Sequence, residues 1–212
     1  MLNPNVDDLM RKTKSYWYED GLVEILAGVF FVLIGLFLLL DWATPQSSAL
    51  KWIFAPGFMV VTIVWILIGG KVAGWLKERI TYPRTGYVAY KRAPRQSRLL
   101  RGAVGGFIGA AVALVVVASL MYRQDIVRLA PLIMAAGVAA LLFRIGSEVA
   151  VPRFYVLAVW SLAVGCALAW LTSDLSLGIA LYYALLGPAI LVLGGAALIR
   201  YLRGAPLEDG ND

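Results

Sequence analysis

The stretch LVEILAGVFFVLIGLFLLLDW, Leu22–Trp42, decides the fold class of this chain. Its only charged residues are Glu24 and Asp41, one near each end. An apolar run of about 20 residues is long enough to cross a hydrocarbon core of about 30 Å as a helix. A helix of a soluble protein would carry charged residues along one face at helical spacing. The stretch is therefore predicted to be a transmembrane helix.

The same kind of run recurs along the chain, which has 212 residues, 61% hydrophobic and 15% charged. That composition lies outside the range of globular proteins. We predict an all-α integral membrane protein with six spans. The predicted spans are Leu22–Trp42, Leu50–Gly70, Leu99–Tyr122, Ile126–Ile145, Arg153–Thr172 and Leu177–Leu202. Pro131 is expected to interrupt the start of the fourth span.

The distribution of Lys and Arg predicts the orientation. If the six spans alternate, sixteen of the 19 basic residues fall on one side and three on the other. The positive side of a membrane protein is normally cytoplasmic. We therefore expect a multi-pass plasma-membrane protein with both termini in the cytoplasm. The predicted parts are a cytoplasmic or interfacial segment (1–21), a transmembrane hairpin (22–70), a basic cytoplasmic loop (71–98), four further helices (99–203) and a disordered tail (204–212).

The segment Lys71–Arg101 is the most basic part of the chain, with nine basic residues and one acid, Glu78. Pro83 and Gly86 favour a turn over Tyr82–Thr85 and predict a small cytoplasmic β-hairpin. The segment is a candidate surface for anionic headgroups or a protein partner, and no nucleic-acid-binding motif accompanies its charge. The candidate surface residues are Arg79, Tyr82, Arg84, Tyr87, Lys91 and Arg92.

Two carboxylates, Asp20 and Glu24, lie one helical turn apart where the first span begins. A carboxylate inside a span needs a counter-charge or a proton. Arg101 and the basic segment are the candidate partners. The pair is interpreted either as an ion-pair lock that holds the segment against the first helix, or as a proton or cation site.

Four glycines in the predicted third span form interleaved pairs with four-residue spacing. Such pairs allow helices to approach closely. The helix that packs against them belongs to this chain or to a second copy in a homo-oligomer. The glycines are Gly102, Gly105, Gly106 and Gly109.

The chain contains no histidine and one cysteine, Cys166. This composition excludes His-based metal sites, Ser-His-Asp triads and histidine proton relays. An intrachain disulfide is excluded as well. We predict no catalytic residue, no metal and no cofactor.

Two segments carry a resemblance. YWYEDGL at residues 16–22 and YPRTGYV at residues 82–88 resemble a family of uncharacterised prokaryotic multi-span membrane proteins. The likeness covers about the first hundred residues. It implies a prokaryotic plasma membrane and no particular activity.

Three functions fit these observations. The favoured one is a non-enzymatic scaffold or accessory protein that contacts a partner or anionic lipid through the basic loop, because ionisable residues within the spans are few. The alternative is a small transporter or channel with Asp20 and Glu24 as its ion site. A membrane-embedded lipid enzyme is the least supported, since no acid–base or nucleophile–base pair accompanies the two carboxylates.

Overall fold

A computed structural model of the protein describes residues 18–81 and 129–204. Those residues contain five α-helices and no strand. All five helices are long and apolar enough to cross a membrane. The chain is therefore an all-α membrane protein over the ranges described. The helices are α1 (Leu22–Ala43), α2 (Lys51–Ile80), α3 (Ala130–Val149), α4 (Pro152–Leu171) and α5 (Leu175–Gly204).

The structure differs from the prediction at the ends of two helices. The second span was expected to end at Gly70, but α2 continues to Ile80, so the first part of the predicted basic loop is helical. Ala73 and Lys77 are buried along this extension, and their burial accounts for the longer helix. The fourth predicted span is α3, which begins at Ala130 with Pro131 in its first turn. Proline needs no hydrogen-bond partner there, so it starts the helix instead of interrupting it.

The predicted span Leu99–Tyr122 and the predicted β-hairpin at residues 82–88 lie outside the described residues. So does the tail that follows Gly204.

Short turns join α3, α4 and α5 into an antiparallel group. Between α3 and α4, Ala150 takes a left-handed conformation (φ 57°), and its N–H donates to the Gly146 carbonyl at 2.8 Å. Between α4 and α5, one oxygen of Asp174 accepts the N–H groups of Ser176 at 2.8 Å and Leu177 at 3.1 Å. These bonds satisfy backbone donors in the first turn of α5.

A chain of hydrogen bonds crosses the core of this group. The Ser161 hydroxyl of α4 donates to the Ala135 carbonyl of α3 at 3.0 Å. It therefore accepts from the Tyr182 hydroxyl of α5, 2.8 Å away. All three residues are buried. The bonds satisfy the polar atoms and join three helices where little else but apolar packing is available.

Helix α1 packs closely along α5. A Cβ atom built on Gly35 would lie 2.5 Å from the Ala184 nitrogen, and one on Gly187 would lie 2.6 Å from the Val32 nitrogen. Only residues without a side chain permit such an approach. Helix α2 packs on the other side of α1, mainly through aromatic contacts such as Phe30 on Trp65.

The two ends of the bundle contain different sets of polar residues. The site end contains Asp20 before α1, Lys77 in the last turn of α2 and Arg153 in the first turn of α4. The opposite end contains Trp42 and Asp174, whose side chains are 3.0 Å apart, together with Lys51 at the start of α2.

Candidate functional site: two buried ion pairs

The site end brings together residues that are far apart in the sequence. The chain bends at Gly21, whose φ of 69° is left-handed and favours glycine. Its N–H donates to the Tyr18 carbonyl at 3.2 Å. The bend leaves Asp20 just before α1 and Glu24 in its first turn. Both carboxylates are buried.

Asp20 is 0% exposed and binds the end of α2. Its Oδ2 lies 2.8 Å from Lys77 Nζ and accepts the Thr81 hydroxyl at 2.9 Å. Its Oδ1 accepts the Leu22 N–H at 3.1 Å. Lys77 itself is 2% exposed. Removing two charges from water is expensive, and this arrangement offsets it with a close counter-charge and a bond to each oxygen.

Glu24 is 3% exposed and binds the start of α4. Its Oε1 accepts from Arg153 Nε at 2.8 Å and lies 2.6 Å from a terminal guanidinium nitrogen. That nitrogen also donates to the Tyr18 carbonyl. Glu24 Oε2 has no hydrogen-bond partner within residues 18–81 and 129–204. Oε1 of Glu24 therefore binds two guanidinium nitrogens, whereas Oε2 is buried and binds no described residue.

The close approach of α5 covers Glu24. A Cβ atom built on Gly194 would lie 2.9 Å from Glu24 Cβ and 3.0 Å from the Ile25 nitrogen. A Cβ on Gly21 would lie 2.3 Å from the Gly194 carbonyl oxygen. Glycine at these positions lets α5 seal the carboxylate from solvent. The ion pairs and the glycine contacts thus form one structure.

The structure places the two predicted carboxylates in separate ion pairs. Lys77 belongs to the basic segment that the sequence offered as a partner, whereas Arg101 lies outside the described residues. Sequence reasoning did not single out Thr81, or Arg153 as a partner. Arg153 could have been suspected, because the orientation count puts it on the same side of the membrane as Glu24.

Of the candidate surface residues, Arg79 is the one within the described ranges. It is exposed on α2, and its guanidinium carbon lies 4.5 Å from the centre of the Trp75 ring. The other candidates lie outside those ranges, as do the four glycines of the predicted third span. The residues not described are Tyr82, Arg84, Tyr87, Lys91, Arg92, Gly102, Gly105, Gly106 and Gly109.

The part of the chain that the structure describes contains no group of three or more His, Cys, Asp and Glu residues that could hold a metal ion. Both site carboxylates instead face a basic side chain.

Comparisons with protein-family models, curated proteins and solved structures find no match to this chain.

The arrangement can do two things chemically. The ion pairs can fasten α1 to α2 and α4, which fixes the helix ends relative to one another. Glu24 Oε2 can also accept a proton or a water hydrogen, because its lone pairs are unused by the described residues. A vacant cation site would need carboxylates that are not already neutralised by protein cations.

Proposed function

We propose that the protein is a six-span scaffold or accessory protein of the plasma membrane. It has no catalytic site, and its basic cytoplasmic segment contacts anionic lipid or a protein partner. The observation that carries this proposal is the pairing of Asp20 with Lys77 and of Glu24 with Arg153. Carboxylates neutralised in this way fasten helices together and leave little charge for a transported cation.

The positions of the helix ends support the sixth span. Helix α2 ends at the site end, where Lys77 and Thr81 bind Asp20. Helix α3 begins at the opposite end, where Pro131 lies next to Gly178 in the first turns of α5. Thr81 and Leu129 thus lie at opposite ends of the bundle, which is the arrangement that a span at Leu99–Tyr122 would require.

The charges of the described helices support the orientation. Every described Lys and Arg except Lys51 lies towards the site end. The site end is therefore assigned to the cytoplasm. In a Cys166→Ser background, a cysteine at Ser47 should react with an impermeant maleimide in intact cells. A cysteine at Asn211 should react only after permeabilisation, and the reverse pattern would overturn the orientation.

The contact function is tested by reversing Arg84, Lys91 and Arg92 to Glu. The intact protein should retain anionic lipid or a cross-linked partner during purification, and the variant should lose it. A matched control reverses Arg200 and Arg203, which lie at the end of α5. Equal retention by all three proteins would overturn the proposed role of the basic segment.

The alternative is a small transporter or channel that uses Asp20 and Glu24. The buried Oε2 of Glu24, which has no hydrogen-bond partner among the described residues, is the observation that favours it. Proton or cation flux into liposomes would be measured for the intact protein and for Glu24→Gln. Flux that disappears in the variant, while the variant remains folded, would replace the scaffold proposal with this one.

A further inference from the structure

The last turns of α2 have two faces of different chemistry. Ala73, Lys77 and Thr81 are buried and follow one another at four-residue spacing. Residues four apart lie on the same side of a helix. Lys71, Trp75 and Arg79 have the same spacing, and all three are exposed. We call these three residues the α2 stripe.

The α2 stripe lies where the helix leaves the hydrocarbon. The stretch Ile53–Gly70 before it has no charged residue and, at 1.5 Å per residue, is about 27 Å long, close to the thickness of a hydrocarbon core. Exposed Trp52 directly precedes this stretch, and exposed Trp75 lies five residues after its last residue. Tryptophan is enriched at both membrane interfaces. The α2 stripe therefore begins at the headgroup level.

Arg79 is held against Trp75. Its guanidinium carbon is 4.5 Å from the ring centre, within the range of a cation–π contact. Helical side chains lean towards the N-terminus, so this contact directs the guanidinium back along α2 to the level of the tryptophan. Trp75 is 51% exposed, which leaves part of its surface open to lipid. The contact orders a cation that would otherwise move freely.

We propose that the α2 stripe binds the phosphate headgroup of an anionic phospholipid, with Arg79 as the principal phosphate ligand. This inference rests on the proposed function and specifies where on the chain lipid binds. Guanidinium groups bind phosphate through two parallel hydrogen bonds. Lys71 adds a second positive charge one turn before Trp75, whereas Arg79 lies one turn after it. The exposed acid Glu78 lies next to Arg79 and opposes the binding of an anion, so the two cations of the α2 stripe must outweigh it.

The test uses the full chain in phosphatidylcholine vesicles that contain phosphatidylglycerol. The association of spin-labelled phosphatidylglycerol relative to spin-labelled phosphatidylcholine is measured by electron paramagnetic resonance. Arg79→Gln should lower the preference for phosphatidylglycerol at least about tenfold, because it removes hydrogen bonds to a charged phosphate as well as a charge. Lys71→Gln should lower it about fivefold, the loss expected for one basic residue near the leaflet. Trp75→Leu should lower it about threefold, because Arg79 loses its cation–π contact.

The control is Arg200→Gln, which removes an exposed arginine near the same end of the bundle but on α5. It should change the preference by much less than Arg79→Gln does. Equal losses in the two variants would mean a diffuse effect of surface charge and would overturn the α2 stripe as a site. Displacement of the labelled lipid by inorganic phosphate at constant ionic strength would overturn the assignment to a lipid headgroup.

The outcome is distinguishable from that of the proposed function. If reversal of Arg84, Lys91 and Arg92 removes the lipid preference while the α2 stripe variants keep it, the stripe is wrong and the basic segment remains the contact. If α2 stripe variants alone remove it, lipid binds at α2. If neither set changes the preference, anionic lipid contact fails at both places.

Discussion

The two ends of the bundle use the same kinds of interaction in different surroundings. At the site end, Asp20 and Lys77 form an ion pair whose side chains are 0% and 2% exposed. At the opposite end, Asp41 and Lys51 form an ion pair of similar length, 3.1 Å, with side chains that are 33% and 18% exposed. Water solvates the second pair and is excluded from the first.

The contribution of each end to the free energy of unfolding therefore depends more on the burial of its ion pairs than on their number. An exposed pair contributes between zero and about 1 kcal/mol, whereas breaking a buried pair costs about 3–5 kcal/mol. Both ends join α1 to α2, but each end also joins α1 to a different third part of the bundle. The site end joins α1 to α2 and α4, and the opposite end joins α1 to α2 and to Asp174 before α5.

The largest effect should come from Asp20→Asn. The substitution removes the negative charge that faces Lys77 inside the bundle, and we expect a loss of about 3–5 kcal/mol in the free energy of unfolding. Unfolding of the detergent-solubilised protein by a denaturing detergent would measure it. The double substitution Asp20→Leu with Lys77→Met should recover only the part of the loss that comes from the unpaired lysine charge. The Thr81 hydroxyl and the Leu22 N–H still lose Asp20 as their acceptor in that variant. A loss below about 1 kcal/mol in Asp20→Asn would show that the Asp20–Lys77 pair contributes no more to stability than an exposed pair does.

The second ion pair should respond unequally to its two substitutions. Arg153→Gln leaves the Glu24 carboxylate, which is 3% exposed, facing an uncharged side chain, and should cost about 3–5 kcal/mol. Glu24→Gln leaves Arg153, which is 18% exposed and keeps the Tyr18 carbonyl, and should cost about 1–3 kcal/mol. The same unfolding measurement applies to both. The reverse order would show that Arg153, not Glu24, is the more desolvated partner.

Neighbouring glycines on α5 test whether close packing contributes to the site end. Gly194→Ala puts a Cβ 2.9 Å from Glu24 Cβ and 3.0 Å from the Ile25 nitrogen, so α1 and α5 must separate. We expect a loss of about 1–3 kcal/mol. Gly195→Ala is the matched control, because a Cβ there meets nothing within 4 Å. It should be neutral or stabilise the helix by up to about 1 kcal/mol. Equal thermal stability of the two variants would contradict the packing role of Gly194.

At the opposite end, Lys51→Ala should have a small effect. It breaks the ion pair with Asp41 and the bond from Lys51 Nζ to the Asp41 carbonyl, both in contact with solvent. The loss should not exceed about 1 kcal/mol and should shrink as salt is added. Thermal unfolding in detergent at low and high salt would measure it. A loss of stability as large as that of Asp20→Asn would show that the ion pairs at the two ends contribute equally.

The smallest effect concerns Asp174, which lies in the turn before α5. Its bond with the Leu177 N–H, followed by those with the Trp42 indole and the Ser176 N–H, holds the pKa of this carboxyl below its ordinary value. A lowered folded-state pKa adds stability above the ordinary value of the unfolded chain, and that stability is lost as the pH falls through the folded-state value. Asp174→Asn should therefore flatten the acid side of the stability curve slightly. Trp42→Phe should flatten the curve less than Asp174→Asn does, since the Leu177 N–H lowers the pKa of Asp174 more than the Trp42 indole does. An unchanged stability curve in Asp174→Asn would show that this carboxyl does not contribute to the pH dependence of stability.

Much of the fold could be predicted from local features of the sequence. Apolar blocks located α1, α2, α3, α4 and α5, with ends that moved by a few residues in most cases. The end of α2 differs most from the prediction, because the charges from Lys71 onwards predict a loop whereas the helix continues to Ile80 with Lys77 buried. A lysine looks like a boundary in a hydropathy pattern, and only its contact with Asp20 shows why a helix can bury it.

The spacing of the glycines in α1 and α5 indicates close helix packing from the sequence alone. Gly21, Gly28 and Gly35 are seven residues apart, and so are Gly187 and Gly194. A seven-residue repeat keeps residues on one face of a helix. That pattern indicates close helix contacts in the first and last spans, although it does not say that these two helices contact each other.

Local sequence alone identifies this chain as a membrane protein of apolar helices, because the thickness of the bilayer fixes how long each apolar run must be. It also predicts that Asp20 and Glu24 need partners, since an isolated charge inside a membrane is too costly. That Lys77 and Arg153 are those partners is known only from the folded bundle. Ion pairs between helices depend on which helices are neighbours and how closely they approach, and that arrangement follows from packing along their whole lengths.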